Sequence, residues 1–336
     1  MPSAFTPPSS ARRTLLAAGA AGAATSLIGI GAHAQGTSGD WPNRPIKLLV
    51  GFAPGGSSDI VSRLMAQRLT PLLGQQVVVE NRPGAGGLIA AEAVARAQPD
   101  GYTWVLLPSG HSSQAAMLKK MPIHPLDDFA WISTVTVYPM FYCVAADSPI
   151  QSLTDLIARA RANPGKLSFS SLGIGAAHHL LGEWLNAEAR IDLAHVPYKG
   201  SPAAFADIVA GRVDLMVETA TAALPWIRGG KLRALAVTST EGKSLVPGVP
   251  AASEVIPGLE YESWLGIVTT PGTPAPVVDR LNRALREALA DPEIVRRLED
   301  LGGRPGPSSP AEFKARAARD IERFRAIVTS RGIPQS

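Results

Sequence analysis

The sequence predicts an α/β protein made of two α/β units. Continuous apolar runs of strand length alternate with stretches of helical spacing, the pattern of a mainly parallel sheet with helices on both faces. Glycine-rich turns follow several of the runs and lead straight into helices. The stretches near 138–146 and 259–270 are candidate crossovers between the units.

Taken in order, "IKLLVGF" reads as a strand buried on both faces. Asp59 to Leu73 then shows helical spacing, with Ile60, Leu64, Leu69 and Leu72 apolar. "QQVVVENR" is a strand, "PGAGG" a turn and "LIAAEAVARAQ" a helix ending before Pro99. "TWVLLPSG" is a third strand with another small-residue turn. In the second unit "FYCVAA" is a strand. "SLTDLIARARANPG" is a helix with Ser152 as N-cap and Asp155 three residues on. "LSFSSLGIG", "DLAHVPYKG", "VDLMVET" and "LRALAVTS" hold further strands, and "HHLLGEWLNAEA" and "SPAAFADIVAG" are helices. Beyond Pro271 come amphipathic helices with charged outer faces.

The chain has 336 residues, 46% of them hydrophobic, and a formal charge of +4. That suits one or two globular domains with a sizeable core. Basic residues are spread out, so no nucleic-acid surface is expected. The first segment reads as an export signal: Arg12-Arg13, a Gly/Ala/Leu-rich run, then Ala32-His33-Ala34 as a cleavage signal. Its paired arginines fit either twin-arginine or general secretory export. Removing residues 1–34 removes two arginines and no acid, taking +4 to +2. Cys143 is the only cysteine, so no internal disulfide forms, and it reads as a buried small hydrophobe.

Four turns follow strands: 54–58 (PGGSS), 83–87 (PGAGG), 109–113 (SGHSS) and 171–176 (SLGIGA). In an open parallel sheet such turns gather at the carboxyl ends of the strands, where ligands bind. A helix N-terminus offers free N–H groups and partial positive charge, and glycine lets a ligand approach the backbone. One such turn is explained by tight turning alone; four point to an anion site. No dinucleotide fingerprint fits, because the sixth position is Ile89 from Gly84 and His178 from Gly173. His178 and His179 are adjacent, so on a helix they point about 100° apart and share a metal poorly. No metal or cofactor is expected. Ser109 and Ser171 lack a G-x-S-x-G context, although a Ser–His hydrolase assembled in space stays open.

The words "WPNRPIKLLVGFAPGGSSDIVSRLMAQRL", "GQQVVVENRPGAGG", "PDGYT", "PGKLSFSSLGIG", "HVPYKGS" and "GKLRALAV" together resemble the Bug family of extracytoplasmic solute receptors. These are the TctC-like substrate-binding proteins of tripartite tricarboxylate transporters. The resemblance runs from Trp41 to Ile333. It implies a type II periplasmic-binding-protein fold, with two α/β lobes, a ligand cleft and a two-crossover hinge. Lobe 1 would hold 35–138 plus 262–336, and lobe 2 would hold 139–261. The implied function is periplasmic capture of a small organic carboxylate. Membrane transporter subunits would receive it, or a sensor protein, and the receptor would be a monomer that is not an enzyme.

Carried over by position, the resemblance implies a ligand site of Phe52, Ala53, Pro54, Gly55, Gly56, Ser57 and Asp59, with Gly86 and Gly87. Ser109 and His111 come from a more variable turn. Lobe 2 would add Ser171, Gly173, Gly175, Ala176 and His179, then Tyr198, Lys199 and Gly200, and Glu218. Two positions depart from the family. Ala176 replaces a common serine, removing one hydroxyl donor. Val217-Glu218 stands where Phe-Asp is common, and the longer acid could reject a second carboxylate, or accept a ligand hydroxyl or ammonium. Lys199 also reads as a solvated charge, Glu183 as an outer-face charge, and Trp264 as either cleft or core.

Overall fold

The computed structural model describes residues 41–335, together with Met1, Ser3 and Ala4. The expected cleavage site and nearly all of the export segment lie outside the described residues. Among those described, no helix is long and apolar enough to cross a membrane.

The run predicted as a doubly buried strand is β1 (Ile46–Val50), and its neighbours explain its composition. It pairs in parallel with β2 (Val77–Asn81) on one side and β3 (Thr103–Pro108) on the other. Ile46 and Leu48 pack into one apolar cluster with Val61, Leu64 and Leu69 of α1 (Ser57–Leu73). Leu49 enters another with Ala91 and Val94 of α2 (Leu88–Ala95). A strand covered on both faces has no solvent side to make polar.

The chain continues through α3 (Gly110–Met117) and β4 (Ala130–Tyr138). Next come β5 (Met140–Ala145), α4 (Leu153–Ala162), β6 (Ser168–Ser171) and α5 (Ala177–Ala189). They are followed by β7 (Ala194–Pro197), α6 (Ser201–Val209), β8 (Leu215–Thr219), α7 (Ala220–Arg228) and β9 (Leu232–Val237). A short α8 (Ala252–Val255) precedes β10 (Ser263–Thr269). The end of the chain forms α9 (Ala275–Ala290), α10 (Pro292–Asp300), β11 (Arg304–Pro305) and α11 (Pro310–Ser330). Ser152 caps α4 as expected, its hydroxyl accepting from the Asp155 N–H.

Two sheets result, with strand orders β11-β4-β10-β3-β1-β2 and β7-β6-β8-β5-β9, one per lobe. Both are mixed, whereas the sequence pattern predicts mainly parallel sheets. The antiparallel pairs, β10 with β3 and β4, β11 with β4, and β5 with β8 and β9, all involve strands entering from the other lobe or about to leave for it. A chain returning across the cleft enters the sheet from the opposite end, which reverses its direction. The 109–113 turn also differs from expectation, because Gly110–Ser113 already form the first turn of α3.

Pro139 alone separates β4 from β5, and residues 238–262 make the second crossing. Thr238 joins the two. Its N–H donates to the Met140 carbonyl and its Oγ1 accepts from the Met140 N–H, each at 2.8 Å. The same Oγ1 donates to the Tyr261 carbonyl, while the Tyr261 N–H donates back to the Thr238 carbonyl. The far half of α11 runs beside this crossing. Phe324 packs near Tyr261, and Phe324 and Val328 join the apolar cluster of the second lobe.

Candidate functional site

The sequence puts a helix start without a capping side chain on each side of one cavity. Helix α1 begins after Gly56 and α5 after Ala176, and neither N-cap residue supplies a side-chain hydrogen bond. The first N–H groups of both helices therefore stay unpaired, and each helix dipole puts partial positive charge there. Gly56, Ser57, Ser58, Ala176, Ala177 and His178 line one shared, narrow cavity. Phe52, Gly110, Tyr138, Leu172, Thr219 and Ser263 also contribute to its wall. Such a cavity suits a small anion bound by backbone donors.

Asp59 holds the first loop in shape. Its Oδ2 accepts from the Gly55 N–H at 3.0 Å, while its carboxylate takes bonds from Arg63 and Asn81. Burial alone would raise its pKa, but these donors bring it below the usual carboxylate range. Next to the cavity-lining Thr219, Glu218 is fully buried. Its Oε1 accepts from the Thr219 N–H at 2.7 Å, the Thr219 hydroxyl at 3.0 Å and His178 Nε2 at 3.3 Å. Burial again pushes the carboxyl up. His178, Ser201 and the Thr219 N–H outweigh it and hold Glu218 ionised. Tyr138 lies nearby, beside Ser263 and Ser57, with its phenol pushed up to about 12 mainly by burial.

Around this cavity the lobes touch through glycine. A Cβ on Gly173 would lie 2.9 Å from the Gly86 nitrogen, and one on Gly200 would lie 2.6 Å from the Ala53 Cβ. Ser113 Oγ donates across to the Gly175 carbonyl at 2.6 Å, while Gln114 Nε2 donates within the first lobe to the Ala85 carbonyl at 2.8 Å.

Of the residues expected at the ligand, Phe52, Gly56, Ser57 and Ala176 line the cavity. Ala53, Gly86, Gly173 and Gly175 lie at the contact between lobes, and Gly87 packs on Phe52. Pro54 and Gly55 are exposed. Others have partners elsewhere. Ser109 Oγ bonds Tyr261 and Ser263, each at 2.7 Å. His111 Nε2 bonds the Pro125 carbonyl and its ring meets the Phe129 edge. Burial pushes the His111 pKa down to about 4. Tyr198 donates to Asp207, and Lys199 is exposed. Trp264 is core, its Nε1 donating to Asp320. Glu183 is not an outer-face charge, since it lies 3.5 Å from His179 Nε2 with its side chain 18% exposed.

Ser171 and His179 meet at a histidine pair. Ser171 Oγ bonds His195 Nε2 at 2.5 Å, and the His195 and His179 rings stack with centroids 3.9 Å apart. A Ser–His contact invites the hydrolase reading. Ser171 is 1% exposed, however, and its Oγ also takes the Gly173 N–H. Among the described residues no carboxylate bonds the other nitrogen of His195 to orient it. The pair joins the end of β6 to β7. Among the described residues, no group of three or more His, Cys, Asp or Glu is placed to hold a metal.

Tyr138, Ser263, His178, Thr219, Ser201 and Ser113 were missed by sequence reasoning. His178 and Thr219 adjoin predicted residues, and the first turn of α5 was the available signal. Tyr138 and Ser263 lie on β4 and β10, which the sequence pattern did not resolve.

Two α/β lobes closing helix N-termini over one small cavity define a solute-binding receptor. The chain belongs to the family described as "Tripartite tricarboxylate transporter family receptor", whose model matches residues 61–333. It is a periplasmic receptor of the Bug/TctC group. Among its relatives, the UPF0065 protein in the tcbD-tcbE intergenic region of Pseudomonas sp. (strain P51) is 37% identical over 290 residues, covering 86% of each chain. The structure of the periplasmic binding protein BugD superposes with a TM-score of 0.83 at 35% identity, over 88% of this chain and 100% of that one. R. palustris Rpa4515 with adipate superposes with a TM-score of 0.84 at 32% identity, over 88% and 99%.

Proposed function

We propose that this receptor captures a small organic carboxylate in the cavity between α1 and α5 and delivers it to the membrane subunits of a tripartite tricarboxylate transporter. One observation carries the reading: two helix N-termini without capping side chains, one from each lobe, face the same small cavity. A carboxylate there takes N–H groups from both lobes at once, so binding favours the closed arrangement. Gly56, Ser57, Ala177 and His178 are the backbone donors in this scheme. The adipate bound to Rpa4515 supports the carboxylate class. Delivery follows from the family's transporter.

The test is native mass spectrometry of the mature protein as purified, with identification of whatever unfolding releases. A released organic acid supports the reading. A protein that arrives empty and gains no thermal stability from any acid in a broad panel overturns it.

A further inference from the structure

Buried hydroxyls run from the second crossing to the cavity wall. The Tyr261 phenol and Ser263 Oγ each bond Ser109 Oγ at 2.7 Å. Ser263 sits opposite Tyr138 in the β10–β4 ladder, and the Tyr138 phenol lies beside both Ser263 and Ser57. Ser263, Tyr138 and Ser57 line the cavity, whereas Ser109 and Tyr261 stand behind its wall. The backbone fixes both hidden residues. The Ser109 N–H donates to the Trp264 carbonyl at 2.9 Å, and Tyr261 exchanges bonds with Thr238 in the crossing.

Each hydroxyl has one proton to give, so such a row has a direction. Ser109 lies between two hydroxyls and therefore donates to one and accepts from the other. Among the described residues, Ser109 is the one hydrogen-bond partner of the Tyr261 phenol. If Ser109 donated to it, the phenol proton would be buried without an acceptor, which costs the full desolvation of that group. A phenol is also a stronger acid than a serine hydroxyl, and so the better donor. Tyr261 thus donates to Ser109, and Ser109 to Ser263. The Ser263 proton is left for the cavity side, where Tyr138 and Ser57 can only pass the same polarity on. Each donation strengthens the next.

We infer that Tyr261 and Ser109 are positioning residues of the receptor, holding Ser263 from behind the wall so that a hydroxyl proton faces the bound carboxylate. This rests on the carboxylate reading above and adds to the helix N-termini a donor whose direction is set outside the cavity.

The experiment is a double-mutant cycle read by calorimetry on the ligand-stripped mature protein. The probe is the tightest binder among straight-chain mono- and dicarboxylates from acetate to suberate, with malate and benzoate. Ser263→Ala should weaken it by about tenfold, the scale of one hydrogen bond to a charged group. Tyr261→Phe keeps the ring packed near Phe324 and should still weaken the probe by about fivefold. Added to Ser263→Ala, it should cost nothing further, because the proton it directs is gone. A purely structural tyrosine would lower the melting temperature and cost the same in both backgrounds. Ser109→Ala completes the same cycle if Tyr261→Phe folds poorly. Additive losses, or wild-type affinity in a folded Tyr261→Phe or Ser109→Ala protein, overturn the inference and leave the carboxylate reading standing. Binding by no acid of the panel overturns both.

Discussion

Ser113 donates its hydroxyl to the Gly175 carbonyl, so the helix after β3 in one lobe is bonded to the glycine turn after β6 in the other. This bond exists only while the lobes are together. Ser113→Ala removes about 1 kcal/mol from the closed state, the usual net worth of one hydrogen bond. Ligand release should quicken by about fivefold. Stopped-flow dissociation measures it, and an unchanged off-rate would show that the bond does not hold the lobes shut.

Gly173 has φ +118° and faces Gly86 with no room for a side chain. Gly173→Ala should let the protein fold but prevent full closure, lowering ligand affinity by about ten- to a hundredfold. X-ray scattering with saturating ligand is the check. The variant should keep the larger radius of gyration of the open form where wild type contracts.

Asp59 ties the Gly55 N–H, Arg63 and Asn81 together from a nearly buried position. Asp59→Ala should destabilise the protein by about 2 kcal/mol in urea unfolding. That is less than for a fully buried pair, because the Arg63 side chain is half in solvent. Its lowered carboxyl pKa means that this stabilisation is present above the ordinary value and is lost on acidification. A variant as stable as wild type at neutral pH would count against the loop-holding role.

His195 should make stability fall in mild acid. Burial first, then the stacked His179, brings its pKa down from 6.5 to about 4, with Glu183 opposing. A base whose folded pKa lies below its unfolded one gives stability that is complete above about 6.5 and lost as pH falls toward 4. Melting temperature should drop over that interval, and His195→Asn should flatten the drop. Superimposable profiles for the two proteins would refute this.

Most strands were legible, β5 and β9 among them, but β4 and β10 were not. β1, β2 and β3 announce themselves because helices from the same stretch of chain cover them. β10 carries Gly266 at its middle, a residue that argues against a strand interior. The structure explains it: a Cβ there would lie 2.1 Å from the Phe313 ring of α11, nearly fifty residues on. β4 is buried yet carries Ser133, Thr134 and Thr136. Ser133 and Thr136 hydroxyls pair with the segment around Arg304 and Ser308, and no local pattern reveals that. The same limit applies at the cavity. Its glycine loops are local and readable. The Glu218–His178 contact joins residues 40 apart and appears only once β8 lies beside α5.

Thr238 bonds both crossing segments to each other as well as to their own strands. Two independent connections would let the lobes slide or twist in several ways. Two connections stitched at one threonine leave a single rotation. The Ser113–Gly175 bond and the Gly173–Gly86 contact must then form and break in concert. Opening then has the character of a single switch rather than a graded series of poses.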